Sequence, residues 1–151
     1  MAVSDRIIVM NNAEIAQEGT PADLYESPSS AFIADFIGDA NLATCQIKDI
    51  SGDIATVSLD NNRFQIPNSG LTKGDAQIVL RPHQLTLAKA DAPGIKGQIS
   101  YAAYLGKEVQ YTVESPLGSL FVISNVLDNP FAKGDTVSVQ FNENHARLVA
   151  A

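Results

Sequence analysis

Residues 42–67 read LATCQIKDISGDIATVSLDNNRFQIP, and their period decides the fold. Apolar residues alternate with polar ones in three short runs, 43–49, 53–59 and 63–67, broken at Ser51-Gly52 and Asp60-Asn61-Asn62. Alternation sends one side of each run into a core and the other into water, the mark of half-buried strands joined by tight turns. The same grammar continues in segments 76–81, 85–88, 95–104, 107–114, 119–124, 135–141 and 146–149, with turn residues at 67–70, 91–94, 115–118 and 128–130. Ten strands of this kind predict a mainly β body, an antiparallel barrel or sandwich, over residues 41–151.

Inside that body the chain echoes itself. Leu71-Thr72-Lys73-Gly74-Asp75 returns sixty residues later as Phe131-Ala132-Lys133-Gly134-Asp135, and a β-rich segment follows each copy. Ahead of each lies a strand pair whose second member starts with an aromatic, Phe64 or Phe121. In each copy a Lys-Gly-Asp turn feeds a strand, with glycine supplying a positive φ. The expectation is two related β units packed into one body.

Residues 1–40 have a different character. Ile7 to Met10 is a short apolar strand, Asn11-Asn12 a tight hairpin turn, and 14–17 the returning strand. Thr20-Pro21-Ala22-Asp23 is a helix start, with Thr20 as N-cap, Pro21 at the first helical position and Asp23 answering the cap. Pro28 stops that turn, and Ser29 or Ser30 caps a second helix. Phe32, Ile33, Phe36 and Ile37 fall on one stripe of it, and Gly38 ends it.

Composition sets the outer limits. The chain has 151 residues, 10 Lys and Arg against 17 Asp and Glu, and a net charge of −7. The acidic balance disfavours nucleic acid and anionic membrane, which need clustered cations. No apolar run approaches a membrane span, and the N-terminus lacks the pattern of a signal peptide, so a cytoplasmic protein is expected. A single Cys45 excludes an internal disulfide and reads as a small core residue. His83 and His145 are too few for an imidazole metal cluster and read as loop residues. No phosphate-binding loop, GxGxxG, HExxH or GxSxG is present. Tyr101, Tyr104, Tyr111, Phe121 and Phe131 offer a stacking platform or, more simply, core and rim. On these grounds the chain is a non-enzymatic β-domain.

A resemblance sharpens the reading. Residues 4–42, SDRIIVMNNAEIAQEGTPADLYESPSSAFIADFIGDANL, resemble the end of the nucleotide-binding domain of ABC importer ATPases. The matching positions are Asp5-Arg6-Ile7, Val9-Met10, Ile15, Gln17, Gly19-Thr20-Pro21, Leu24-Tyr25, Pro28, Phe32-Ile33-Ala34, Phe36-Ile37-Gly38 and Asn41. Asn12-Ala13 stands where that family has a glycine. The remainder resembles the family's TOBE regulatory domain, which is OB-fold-like. Leu80-Arg81-Pro82-His83-Gln84-Leu85-Thr86-Leu87 is similar to its hallmark, with His83 in place of glutamate. Tyr104-Leu105-Gly106 followed by Tyr111-Thr112-Val113 is similar to its second motif.

The resemblance implies a fragment: 1–40 as the tail of the nucleotide-binding domain and 41–151 as a regulatory and dimerisation domain. It implies that the ATP and magnesium machinery lies upstream of residue 1, so no cofactor and no catalysis are expected here. It implies a homodimer. A strand edge left over by the β body can pair across a two-fold axis, and the expected interface is strand pairing and apolar contacts from Leu117 to Phe131, with Leu120 and Val122 among them and tail 146–151 beside them. It implies permease subunits as partners in the parent, at the inner face of the cell membrane, without membrane insertion. Iron(III) leads as the solute, ahead of polyamine, sulfate, phosphonate or sugar. Ile7 to Met10 are expected to lack their cover, leaving the hairpin mobile or paired to a neighbour. The rival reading is a free-standing domain for a small oxyanion or oligosaccharide, with Ser51-Gly52, Ser69-Gly70 and Lys73-Gly74 as donors.

Overall fold

Thr20 opens the first helix as its sequence demands: its hydroxyl accepts from Asp23 N at 3.1 Å, and its own N–H donates to Asp23 Oδ2 at 3.2 Å. The computed structural model of the protein describes residues 6–68, 70–125 and 131–151. A hairpin of β1 (Ile7–Asn11) and β2 (Glu14–Gly19) leads into α1 (Pro21–Glu26) and α2 (Ala31–Ile37). Positive φ falls on Asn12 and Ala13, one residue later than expected, and this gives the primed turn that matches strand twist. Ser30 caps α2 by accepting from Ile33 N at 3.3 Å.

The expected stripe of α2 is corrected. Ile33 and Ala34 are buried and Ile37 is half-buried, whereas Phe32 and Phe36 face outward and stack on each other at 5.7 Å. The face toward the protein is thus the Ile33–Ala34–Ile37 side. Val9, Leu24 and Ile33 form a small core with Ile7, Ala16 and Ile37. Ile7 and Val9 therefore have cover, contrary to expectation, because the two helices supply it. Ile8, Met10 and Ile15 on the hairpin's other side are exposed.

The β body follows as β3 (Asn41–Ser51), β4 (Ile54–Leu59), β5 (Asn62–Pro67), β6 (Gly74–Leu80), a 3-10 turn (Pro82–Gln84), β7 (Leu85–Lys89), β8 (Ile95–Tyr104), β9 (Glu108–Ser115), β10 (Gly118–Asn125), β11 (Thr136–Phe141) and β12 (Arg147–Ala150). All pairs are antiparallel. One sheet has the order β12-β6-β3-β4-β5, the other β10-β9-β8-β11-β7. The mainly β class with a hairpin and two short helices in front is as the sequence predicts; the turn expected at 128–130 lies outside the described residues.

Laid side by side, the two sheets are the same device used twice. A three-strand meander (β3-β4-β5, β8-β9-β10) is followed by a Lys-Gly-Asp turn and a strand that returns beside the first member. Gly74 and Gly134 both carry the positive φ expected of them, +124° and +94°. The fifth strands are exchanged: β7, which follows the first unit, pairs with β11 of the second, and β12 returns to β6 of the first. Ile78, Leu80, Leu85, Ile99, Tyr111, Val122, Val139 and Leu148 belong to one continuous apolar cluster. Exchange and a shared core make the two units one folding body.

Candidate functional site

The N-terminal segment meets the β body at two places. Ala34 packs on Val79 and Val149, the outward side of β6 and β12, with Ala31, Ala40 and Leu42 around them. Beside that contact lies Arg81, the residue after β6. Pro82 opens the 3-10 turn, where its missing N–H and fixed φ cost nothing, and Gln84 N closes the turn on Arg81 O at 2.9 Å. The side chain of Arg81 is 3% exposed. Its Nη1 donates to the carbonyls of Ala34 (2.9 Å), Gly38 (3.2 Å) and Asp39 (3.0 Å), and its Nη2 to that of Tyr25 (2.9 Å). The guanidinium also lies 4.3 Å from the centre of the Tyr25 ring.

Carbonyls at a helix C-terminus lack intrahelical donors and carry partial negative charge, so a cation is the favoured cap. Arg81 serves both helices in this way. Burial lowers its pKa, and the nearby Tyr25 and Asp39 act in the opposite sense. Gly38 ends α2 with extended backbone rather than a left-handed turn, and a Cβ there would meet Tyr25 Cε2 at 3.4 Å and Arg81 Nη1 at 3.8 Å, ordinary van der Waals contact. Arg81 and Pro82, singled out by motif alone, thus form a clamp holding residues 25–39 on the β body.

One free edge of each sheet, β10 and β5, carries a side-chain cap. Asn41 Nδ2 donates to Phe121 O and Phe121 N donates to Asn41 Oδ1, both at 2.8 Å, so one buried asparagine occupies the outer edge of β10. Gln65 N on β5 donates to Glu143 in a comparable place. Such caps blunt edge-to-edge pairing. They bear directly on the expected interface. Leu120 and Val122 are 2% and 0% exposed and point into the shared core, while Leu117 and Phe131 are half-buried against it. Alternation along β10 is what turns Leu120 and Val122 inward.

The second motif forms the β8–β9 turn. Tyr104 is exposed at the end of β8, Leu105 N donates to Glu108 O at 2.9 Å, and Gly106 takes φ +79°. Tyr101, Tyr104 and Leu105 are the exposed apolar residues of this hairpin. The stacking platform is not assembled: Tyr111 is fully buried, with its phenol pushed up by burial, and Phe121 and Phe131 are half-buried. Cys45 is a core residue, as read, and burial pushes its thiol up to about 11. His83 and His145 are exposed turn residues, and no group of three or more His, Cys, Asp or Glu among the described residues gathers to hold a metal. Of the oxyanion donors, Lys73 pairs with Asp49 at 3.6 Å and Ser69 lies outside the described residues. Among the described residues no helix is long and apolar enough to cross a membrane.

Comparison with known proteins places this geometry. Residues 78–149, from β6 to β12, match the TOBE domain. The chain is 40% identical over 149 residues to the Fe(3+) ions import ATP-binding protein FbpC 1 of Rhizobium meliloti (strain 1021), covering 99% of this chain and 42% of that protein. It is 37% identical over 151 residues to the FbpC protein of Agrobacterium fabrum (strain C58 / ATCC 33970), covering 100% of this chain and 43% of that one. It is 32% identical over 146 residues to the spermidine/putrescine import ATP-binding protein PotA of Ruegeria pomeroyi (strain ATCC 700808 / DSM 15171 / DSS-3), covering 93% and 40%. The chain thus spans about two fifths of the length of the curated relatives it matches. Among solved structures it superposes on the cytoplasmic molybdate-binding protein ModG with a TM-score of 0.62 at 10% identity, over 74% of this chain and 96% of that one, a likeness of fold. Residues 78–149 thus carry a TOBE domain, and the chain as a whole is homologous to the part of longer ABC importer ATP-binding proteins that includes it.

Proposed function

We propose that this chain is the regulatory end of the ATP-binding subunit of an iron(III) importer, without catalysis of its own. The observation that carries this reading is the Arg81 clamp. It fastens the segment resembling the end of the nucleotide-binding domain to the TOBE body through four hydrogen bonds and a ring contact, so displacement of one is passed to the other as a rigid-body movement. The exposed Ile8, Met10 and Ile15 are the side of the hairpin that the nucleotide-binding part would cover. ATP, magnesium and the permease belong to that larger assembly, at the inner face of the membrane. Iron(III) is favoured over polyamine because FbpC proteins match at 37–40% and the polyamine protein at 32%.

In this reading two copies associate through side chains, since β10's edge is capped at Phe121 and its inward residues are in the core. Light scattering on a size-exclusion column, over about a hundredfold range of concentration, tests the pairing by mass action. A species at twice the 16.1 kDa chain mass is expected. A constant 16.1 kDa would place the pairing outside this chain and refute a dimerising role for it.

A further inference from the structure

Where β10 and β5 are capped, β12 is bare. It is the outer strand of its sheet, and no side chain or loop among the described residues bonds the outward N–H or C=O groups of Leu148, Val149 or Ala150. Both faces of β12 are covered: Leu148 lies in the shared core, and Val149 packs with Ala34 of α2. What stays open is the edge itself. It borders a cleft of about 510 Å³, within the ~300–1,000 Å³ that ligand sites occupy. The link between α1 and α2, at Ser27, Pro28 and Ser29, walls this cleft on the Val149 side, where Pro28 also meets Val79 and Arg147. Leu71 and Pro67 wall it too, and Leu71 packs on the core that holds Leu148. In a chain of net charge −7, the charged side chain lining the cleft is Arg147. That half-exposed side chain donates through Nη1 to the carbonyls of Asn144 and Ala146, at 2.7 and 2.9 Å, and has no carboxylate within ion-pair reach among the described residues.

We propose that the β12 edge takes an extended segment of a partner protein as a sixth strand of this sheet, with a carboxylate side chain opposite Arg147. Main-chain hydrogen bonds to a free edge supply affinity, and the walls supply preference. At about 3.3 Å per residue, the four residues of β12 offer roughly 13 Å of edge. Alternation along the added strand sends its carboxylate to the side of Arg147 and Ser27–Ser29, and its apolar neighbours to the side of Leu71. A second copy of this chain is the poorer occupant, because its own β12 brings the same walls to the same edge. A segment held here touches the α1–α2 link and the β body together, so it reinforces the clamp between them. The inference stands independently of the importer reading.

The probe is a displayed library of short proline-free peptides selected on the whole chain; the strongest binder is then synthesised and titrated against the amide resonances of residues 147–150. Saturable shifts and slowed hydrogen exchange at those amides are expected, with an Asp or Glu in the selected peptide. Methylation of alternate peptide nitrogens should abolish binding, since it removes the ladder donors. Arg147→Gln, and replacement of the peptide's acid by its amide, should each weaken binding about tenfold and add little when combined. Failure to select any peptide overturns the proposal, as do shifts confined to another surface, binding that survives methylation at every position, or equal affinity in Arg147→Gln. Protection of the β12 amides that rises with chain concentration in the absence of peptide would put a second copy on this edge and overturn it as well.

Discussion

Arg81→Met lowers the melting temperature by about 10 °C, read by scanning calorimetry. Methionine keeps much of the length and the apolar volume of the arginine stem but none of its donors. The change strips four hydrogen bonds of 2.9–3.2 Å from the carbonyls of Tyr25, Ala34, Gly38 and Asp39, and removes the charge above the Tyr25 ring. Bonds from a charged donor are each worth about 1.5–3 kcal/mol, and unpaired buried acceptors add a penalty of about 1–3 kcal/mol. Removing a buried cation returns part of that, because its desolvation is no longer required. The balance is a loss of about 3–4 kcal/mol, and a domain of this size shifts about 2–4 °C per kcal/mol. A melting temperature within a degree or two of the unaltered protein would mean that the clamp contributes nothing net.

Val122→Arg abolishes folding. Val122 is fully buried in the cluster that joins both sheets, so a guanidinium there has neither water nor a carboxylate to meet. The loss exceeds about 5 kcal/mol, comparable to the whole stability of an ordinary domain. Because the fifth strands are exchanged, the damage is not confined to the second unit: β12 and the N-terminal contacts on Val79 and Val149 are lost with it. Loss of the dispersed amide spectrum across the entire chain is the expected result. A folded variant with altered association would instead return Val122 to the interface where its sequence position first suggested it.

Much of this fold is legible in the chain because its signals are local. The Thr20–Asp23 capping box, the alternation of Ala43, Cys45 and Ile47, and the glycine before Asp75 and Asp135 each act within a few residues. The failures are non-local. α2 offers two apolar sides, and only the packing on β6 and β12 decides that Ala34 goes in while Phe36 stays out. Strand exchange depends on which of two related edges β7 and β12 find, and the sequence of either strand serves both answers. The burial of Leu120 and Val122 is legible in their period of two with Ser119 and Phe121. Arg81 was marked by a motif, but its role rests on carbonyls 42 to 56 residues earlier, and carbonyls leave no trace in a sequence.

The central claim is that the N-terminal segment and the β body open as one unit. Amide hydrogen exchange of the unaltered protein measures this, comparing Ala34, whose N–H donates to Ser30 O, with the amides of β3 and β6. The account predicts that α2 and the sheet exchange with opening free energies within about 1 kcal/mol of each other, both close to global unfolding. Exchange of α2 at several kcal/mol below the sheet would mean that the segment lets go of the body on its own, and would contradict a clamp that carries movement between them.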